Sequence, residues 1–168
     1  AIAHADGALG LAGIGVLASS SQLLFLMQLT DQSTRDGLTG LLGRRVGAEI
    51  LESQFAYAER HNLPLSLLFF DLDDFKSVND AFGHPAGDDF LREVARSLKK
   101  SFRGQESVIR WGGEEFVVAL PSTDMTSAVA SVQRLALLGI GRRPDGKALT
   151  ASIGIAERKA DGIKRPQD

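Results

Sequence analysis

Acidic side chains stand at a glycine turn in the C-terminal half of this sequence. The segment from Arg110 to Phe116 reads Arg-Trp-Gly-Gly-Glu-Glu-Phe, and the apolar run from Val117 to Leu120 follows it directly. Glycines lack a Cβ atom and so let a bulky, charged ligand approach the backbone. Carboxylates at the start of a buried strand are well placed to bind a cation, so this turn predicts a site for a metal ion and phosphate groups. An ordinary hairpin with solvated acids is the alternative interpretation of this segment taken alone.

A second acidic strand end favours the metal-site interpretation. Leu65 to Phe70 is a nearly continuous apolar run, which predicts a strand buried on both faces. The run ends in Asp71-Leu72-Asp73-Asp74. Carboxylates at the end of a buried strand suit Mg²⁺, which takes oxygen ligands and leaves part of its shell for substrate phosphates. Asp73 and Asp74 have a second interpretation, as caps of the turn that follows.

Polar residues suited to nucleotide binding follow the second acidic segment. Lys76 can place a positive charge over a polyphosphate. Asn79 and Asp88 can read a purine edge, because an amide both donates and accepts and a carboxylate accepts from the guanine N1–H and N2–H₂ groups. The structural alternatives are a surface lysine, a turn asparagine and a helix N-cap, since Asp88 precedes an amphipathic pattern.

Taken together, these segments resemble the GGDEF domain, the family of diguanylate cyclases. The matching segments, in chain order, are Asp36 to Leu41, Asp71 to Lys76, Asn79 to Asp88, Gly112 to Phe116 and Ser152 to Ala156. Their order and spacing are highly specific, and they cover nearly all of the chain after its N-terminal segment. The signature turn reads Gly-Gly-Glu-Glu-Phe, a variant that the family accepts in active members.

The resemblance implies a fold and a reaction. The implied fold is α/β, a central and mostly antiparallel sheet flanked by helices, the palm-like fold of nucleotide cyclases. In the family, two GTP molecules condense into cyclic di-GMP and two pyrophosphates when a 3′-hydroxyl attacks an α-phosphate, twice. Each domain binds one GTP, so a homodimer is the implied catalytic unit. The implied cofactor is Mg²⁺, with Mn²⁺ as the alternative ion.

The resemblance also implies roles for particular residues. Asp71, Glu114 and the Leu72 carbonyl would hold the metal ion. Glu114 would also accept the proton of the attacking hydroxyl, with Glu115 in a supporting role. Lys76 would stabilise the charge that grows on the phosphate. The residues implied to contact GTP are Asn79, Asp88, Lys76, Gly112 and Gly113.

Some positions depart from the family pattern. Gly43 stands where the family usually has Asn before an arginine pair, at the start of a helix and with little catalytic consequence. Many members carry an inhibitory product site, Arg-x-x-Asp, and the aligned residues here are Arg103 and Glu106, with Arg134 as the supporting arginine. Glutamate is one methylene longer than aspartate, so we expect this allosteric site to bind product weakly or not at all. The family's last helix would follow Asp168, so we expect the catalytic domain, residues 35–168, to lack it.

Residues 1–34 form an apolar N-terminal segment, in which residues 7–30 carry no charge. This stretch exceeds the roughly 20 residues that a membrane span needs. Its four glycines, three serines and two glutamines favour a helical stalk or dimer contact instead, and both interpretations stay open. If the segment spans, then Arg35, Arg44 and Arg45 place the catalytic domain on the cytoplasmic side of the bacterial inner membrane.

Composition narrows the class of protein. The length predicts a single domain of ordinary size. The net charge of −2, from 19 basic and 21 acidic residues, argues against a nucleic-acid-binding protein. The chain has no cysteine, which excludes disulfides and thiolate metal sites. Two other functions remain to be weighed: a catalytically silent module that binds GTP or cyclic di-GMP to regulate a partner, and a structural dimerisation unit with a vestigial site.

Periodicity predicts alternating helices and strands. Helix patterns carry apolar residues three and four positions apart, whereas the strands are short apolar runs. The predicted helices cover Arg44–His61 and Asp88–Phe102, and a third begins at Asp124 or Thr126. The predicted strands cover Pro64–Leu72, Ser107–Trp111, Glu115–Leu120 and Ala148–Ala156.

Overall fold

A computed structural model describes residues 34–159. The stretch of residues 7–30 lies outside the described residues. None of the helices in the described range is long and apolar enough to cross a membrane. The strands are β1 (Leu42–Gly43), β2 (Leu65–Leu72), β3 (Ser107–Arg110), β4 (Glu115–Pro121) and β5 (Ala151–Glu157). The helices are α1 (Arg44–Arg60), α2 (Phe75–Phe82), α3 (His84–Ser101) and α4 (Met125–Leu138).

The five strands form one sheet in the order β1-β3-β4-β2-β5. β2 lies inside the sheet and pairs antiparallel with β4 on one side and β5 on the other. β3 is antiparallel to β4, whereas the short β1 is parallel to β3. The prediction of a mostly antiparallel sheet flanked by helices is therefore confirmed.

The main core lies on one face of the sheet. Alternate residues of β2 and β4 point into it, among them Phe70 and Phe116, which are fully buried. α3 covers this face with apolar residues spaced three and four positions apart, which places them on one side of the helix. Burial of each large side chain contributes about 1.5–3 kcal/mol, so this face provides much of the stability that fixes β2. The buried residues of α3 are Gly87, Phe90, Leu91, Val94, Ala95 and Leu98.

The opposite face of the sheet is only partly covered. Leu51 of α1 packs there against Ile109 and Val117, over β3 and β4. Phe69 of β2 is 39% exposed and borders a groove of about 600 Å³ beside α1. The prediction that this strand is buried on both faces is therefore wrong, because α1 packs mainly over the neighbouring strands.

Two helix starts differ from the sequence prediction. α3 begins at His84, immediately after Gly83, whose φ of +83° suits a residue without a side chain and separates α2 from α3. Asp88 therefore lies inside the helix, and its alternative role as an N-cap is wrong.

α2 itself was not predicted, because eight residues are too few to show a helical period. Asp74 precedes α2 with a φ of 57° and makes no side-chain capping bond, so that alternative is also wrong.

Asp124 confirms one of the two predicted starts of the last helix. Its side chain accepts a hydrogen bond of 2.8 Å from the Ser127 backbone N–H, which is the usual chemistry of a helix N-cap. This helix, α4, packs on the same face of the sheet as α3, where Leu135 is buried in the main core. α4 and α3 thus hold the sheet from one side.

Candidate active site

The strand register brings the acidic segments together. Asp71, at the end of β2, lies directly opposite Glu115, at the start of β4. Opposed residues of antiparallel strands share one face with Cβ atoms about 4.5–5.5 Å apart, and two like charges there repel each other. The Leu72 backbone N–H donates to the carbonyl of Glu114 at 3.3 Å. The first acidic strand end and the signature turn are therefore neighbours, as the metal-site interpretation requires.

The signature turn is tightly closed by its own backbone. The N–H groups of Trp111 and Gly112 both donate to the Glu115 carbonyl, at 2.9 and 3.3 Å. The carboxylate of Glu115 folds back over Gly112, where a Cβ atom would lie 3.3 Å from the carboxyl carbon and closer still to one oxygen. A Cβ on Gly113 would meet no atom within 4 Å. Gly112 thus makes room for Glu115, and Gly113 faces space that a ligand can use.

Arg110 stabilises this turn by hydrogen bonds to its backbone. Its guanidinium donates to the carbonyl of Gly112 at 3.2 Å and to that of Gly113 at 2.8 Å. The same group forms an ion pair with Asp36 at 2.9 Å. Arg110 and Asp36 both lie in segments that the sequence singles out, but no role was predicted for either residue. The available signal was one arginine two residues before the glycines and one aspartate that opens the Asp-Gly-Leu-Thr turn.

The Asp36 carboxylate is itself well hydrogen-bonded. It accepts from the Thr39 backbone N–H at 2.8 Å and from the Thr39 hydroxyl at 2.6 Å. Burial raises the pKa of Asp36, but the hydrogen bonds from Thr39 and Arg110 outweigh it, so the pKa lies below its ordinary value of 3.8. A carboxylate that is stabilised in its charged form remains a firm partner for Arg110 at neutral pH.

The segment after β2 is tied to β5. The Asp73 backbone N–H donates to the Thr150 carbonyl at 3.1 Å, and its carboxylate accepts from the Ser152 hydroxyl at 2.9 Å. Hydrogen bonds from the side chains of Thr150 and Ser152 lower the pKa of Asp73. Lys76 follows in the first turn of α2, with its side chain exposed. Phe75 packs on Phe90 with ring centroids 5.6 Å apart.

The two candidate base-reading residues lie on one helical hairpin. Asn79 is on α2 and Asp88 is on α3, and both side chains are half-buried. The amide of Asn79 rests against Gly87, the residue directly before Asp88. Gly83 joins the two helices and donates its N–H to the Asn79 carbonyl at 2.8 Å. The hairpin follows directly from the acidic end of β2.

The donor chemistry of the acidic strand ends fits Mg²⁺. Asp71 and Glu114 offer carboxylate oxygens and Leu72 offers a backbone carbonyl, and Mg²⁺ prefers oxygen ligands. Within residues 34–159, no group of three or more His, Asp or Glu side chains is arranged so that it could hold a metal ion by itself. Mg²⁺ is commonly held by one or two carboxylates together with substrate phosphates, so an incomplete protein cage suits a metal that arrives with a nucleotide.

The residues aligned with the inhibitory product site are only partly brought together. Arg103 and Glu106 line one cavity of about 370 Å³ beside the end of α3. The Glu106 carboxylate accepts from the Gly104 backbone N–H, and the Arg103 guanidinium donates to the Lys100 carbonyl at 2.7 Å. Arg134 is exposed on α4 and is not among the residues that line the cavity. Weak product binding here stays a prediction.

Comparison with known sequences assigns the family. Residues 33–168 match the family model described as diguanylate cyclase, GGDEF domain. The chain is 37% identical over 132 residues to the probable diguanylate cyclase DgcC of Escherichia coli. The matched region covers 77% of this chain and 36% of DgcC. The chain thus spans about a third of the length of this curated relative.

Solved structures show the same fold. The GGDEF domain of DgcB from Caulobacter crescentus, in complex with c-di-GMP, matches with a TM-score of 0.69 and 30% identity, over 79% of this chain and 81% of that one. The active GGEEF domain of a diguanylate cyclase from Vibrio cholerae matches with a TM-score of 0.65 and 28% identity, over 70% and 76% of the two chains. By its sequence match and its fold, this chain belongs to the GGDEF domain family of diguanylate cyclases.

Proposed function

We propose that this chain is the catalytic domain of a diguanylate cyclase that condenses two GTP molecules into cyclic di-GMP and two pyrophosphates. The observation that carries the proposal is the register that sets Asp71 opposite Glu115, next to Glu114, at the open end of the sheet. Clustered carboxylates at an accessible strand end destabilise a fold unless a cation joins them. The proposal accounts for that cluster, whereas a purely structural dimerisation unit has no use for it.

Asp71, Glu114 and the Leu72 carbonyl are the groups that would hold Mg²⁺ or Mn²⁺. When bound, the ion neutralises triphosphate charge and lowers the pKa of the attacking 3′-hydroxyl. Glu114 accepts the proton of that hydroxyl, and Glu115 orients the turn from its place over Gly112. Lys76 lies on the next helix, where its ammonium group can balance charge that develops on the α-phosphate.

The remaining residues position the nucleotide. Gly113 faces open space, so its backbone can be approached by phosphate groups, and Gly112 supports it. Asn79 and Asp88 bind the guanine edge, the amide as donor and acceptor and the carboxylate as acceptor. Adenine presents the opposite pattern at its 6-position and lacks the 2-amino group, so this pair favours GTP.

Each domain binds a single GTP in this proposal, so two copies of the chain face each other in a homodimer. The product joins two guanines and two phosphates symmetrically, and a dimer with two-fold symmetry has sites arranged to match it. The crystallised relatives support the ligand class, since DgcB was solved with c-di-GMP and the Vibrio cholerae GGEEF domain is described as active. A cytoplasmic location, with or without an anchor in residues 7–30, is part of the same proposal.

One assay tests the proposal directly. The purified protein, held as a dimer by fusion to a coiled coil, is incubated with GTP and either Mg²⁺, Mn²⁺ or a chelator, and chromatography follows cyclic di-GMP and pyrophosphate. We expect two pyrophosphates for each cyclic di-GMP, only when metal is present. Glu114→Gln should abolish product and leave the melting temperature unchanged. Glu49→Gln, a change in an exposed ion pair on α1, should leave both product formation and the melting temperature unchanged.

Two results would contradict the proposal. Product formation by Glu114→Gln at the wild-type rate would remove Glu114 from the chemistry. GTP binding by the wild-type dimer without product, at saturating metal, would support the silent regulatory module instead. Calorimetric titration with GTP on the same samples separates this second result from a simple failure to bind.

A further inference from the structure

Gly87 carries a close contact on the inner side of α3. A Cβ atom built there would overlap the Asn79 side-chain oxygen, and it would lie 2.9 Å from the amide carbon and 3.4 Å from the amide nitrogen. All three nearest atoms belong to the same amide group. Gly87 is buried, so this side of the helix faces α2 and not solvent. The Asn79 amide therefore occupies the space that any other residue at position 87 would fill.

The backbone around this contact is fixed by hydrogen bonds. The Gly83 N–H donates to the Asn79 carbonyl at 2.8 Å, and the Gly87 N–H donates to the Gly83 carbonyl at 3.3 Å. The two helices also pack together on the main core, through Val78 of α2 and Phe90 of α3. Because both backbones are held, a side chain at position 87 would displace the Asn79 amide rather than move the helices apart.

Local helix preference runs against glycine at this position. Glycine inside a helix is less favourable than alanine by roughly 0.5–1 kcal/mol. Its φ lies outside the left-handed range, so the backbone does not require it. The contact with Asn79 is the feature that explains a glycine here. Asp88 is the next residue of α3, so the position of the amide relative to Gly87 also sets its spacing from the Asp88 carboxylate.

We propose that Gly87 is a specificity-determining positioning residue, which fixes the Asn79 amide beside Asp88 so that the pair matches the guanine edge. The inference rests on the proposed function, because it concerns the base-recognition part of the same site. Gly87 itself does not bind the nucleotide in this proposal. It acts through the orientation of Asn79, and its effect should be on base selectivity and not on the metal or the phosphates.

The variant that tests this is Gly87→Ala. The added methyl group should turn the Asn79 amide away from the base and lower the affinity for GTP about tenfold to a hundredfold, the range expected when one buried hydrogen-bonding group is left unpaired. ATP binding should change by less than about twofold, because adenine does not match the pattern of donors and acceptors that Asn79 and Asp88 present together. The melting temperature should stay constant or rise, since alanine is the better helix former.

The measurement is calorimetric titration of the whole chain, in Mg²⁺, with GTP and ATP analogues that carry a methylene group between the α- and β-phosphates and so do not react. Wild type, Gly87→Ala, Asn79→Ala and the double variant are compared. The double variant should lose no more GTP preference than Asn79→Ala alone, since both changes remove one interaction. Gly154→Ala is the control, because a Cβ there meets no atom within 4 Å.

The outcomes separate this inference from the proposed function. Equal binding of both nucleotides by wild type overturns both. A wild-type preference for GTP that Gly87→Ala retains overturns the inference alone, and so does a double variant whose losses multiply. If Gly87→Ala lowers the melting temperature, the addition of Asn79→Ala should restore it by at least half, since the clash is then removed. A loss of stability that Asn79→Ala does not recover would show that the methyl group clashes with a residue other than Asn79, and would overturn the inference.

Discussion

Removal of the Arg110 charge should destabilise the whole domain. Arg110 joins three places: the Asp36 carboxylate near the start of the described residues and the carbonyls of Gly112 and Gly113 in the signature turn. Arg110→Gln keeps a polar, planar group but loses the positive charge and most of the reach of the guanidinium. The Asp36 carboxylate is then left half-buried with only its Thr39 partners.

The size of the effect follows from how far this ion pair is shielded. Its two side chains are 15% and 24% exposed, so water can replace the guanidinium only in part. Loss of one partner costs about 3–5 kcal/mol in a buried pair and typically no more than about 1 kcal/mol in an exposed pair. We therefore expect a loss of about 2–3 kcal/mol, which lowers the melting temperature of a domain of this size by roughly 6–12 °C.

Urea and thermal unfolding of three variants check this expectation. Arg92→Gln is the matched control, because Arg92 pairs with Asp89 at 2.7 Å but the two side chains are 45% and 79% exposed. That pair should contribute less than about 0.5 kcal/mol. Asp36→Asn and its combination with Arg110→Gln complete a double-mutant cycle, in which the coupling free energy should be at least about 1.5 kcal/mol.

Either of two findings would refute this reasoning. Arg110→Gln could prove no more destabilising than Arg92→Gln, which would mean that water solvates the Asp36 carboxylate as well as the guanidinium does. The losses from Asp36→Asn and Arg110→Gln could also simply add, which would mean that the two residues act separately. In both cases the signature turn would have to be held by its own backbone hydrogen bonds.

Three further outcomes are expected. The pKa of Asp36 in the folded state is lowered, so its contribution to stability is present above the ordinary value of 3.8 and is lost as pH falls through the lowered pKa. In acid unfolding, the difference in stability between wild type and Asp36→Asn should therefore close below pH 3.8. Gly47→Ala should cost about 1–3 kcal/mol in urea unfolding, as overpacking of a core does, because its Cβ would lie 3.0 Å or less from atoms of Ile109; a neutral change would show that Ile109 repacks freely. Product inhibition of the cyclase should be competitive with GTP and should survive Arg103→Ala in steady-state kinetics; non-competitive inhibition that this change removes would contradict the expectation of a weak allosteric site.

The parts of this fold that follow from the sequence are those with a clear period or a clear chemical pattern. The strand that carries Asp71 near its end and the hairpin around the glycines have such patterns, whereas the pairing that sets Asp71 opposite Glu115 is a finding of the structure. α2 escaped prediction because it ends at Gly83 after eight residues, before a helical period can appear. Exposure of Phe69 was also missed, because the placement of α1 over neighbouring strands depends on packing and not on local sequence.

The contacts that position the candidate site were harder to foresee than its residues. The pair of Asp36 and Arg110 joins positions 74 residues apart, and neither local segment indicates that the other is its partner. The contact of Gly87 with Asn79 depends on the angle between the consecutive helices α2 and α3, which composition does not encode. Both features are visible only when the backbones are placed, because they are defined by distance and not by residue type.

The interior position of β2 has a consequence for how this domain can change over evolutionary time. Both edges of β2 carry full antiparallel ladders, which hold Asp71 opposite Glu115 on one side and Ser152 on the other. Side chains alternate between the faces of a strand, so a shift of one residue would turn every side chain to the opposite face. Apolar exchanges within the strand leave the acids in place, whereas insertion or deletion of a single residue would move Asp71 into the main core. Length is thus under tighter constraint here than identity, and natural variation in this strand should consist of substitutions alone.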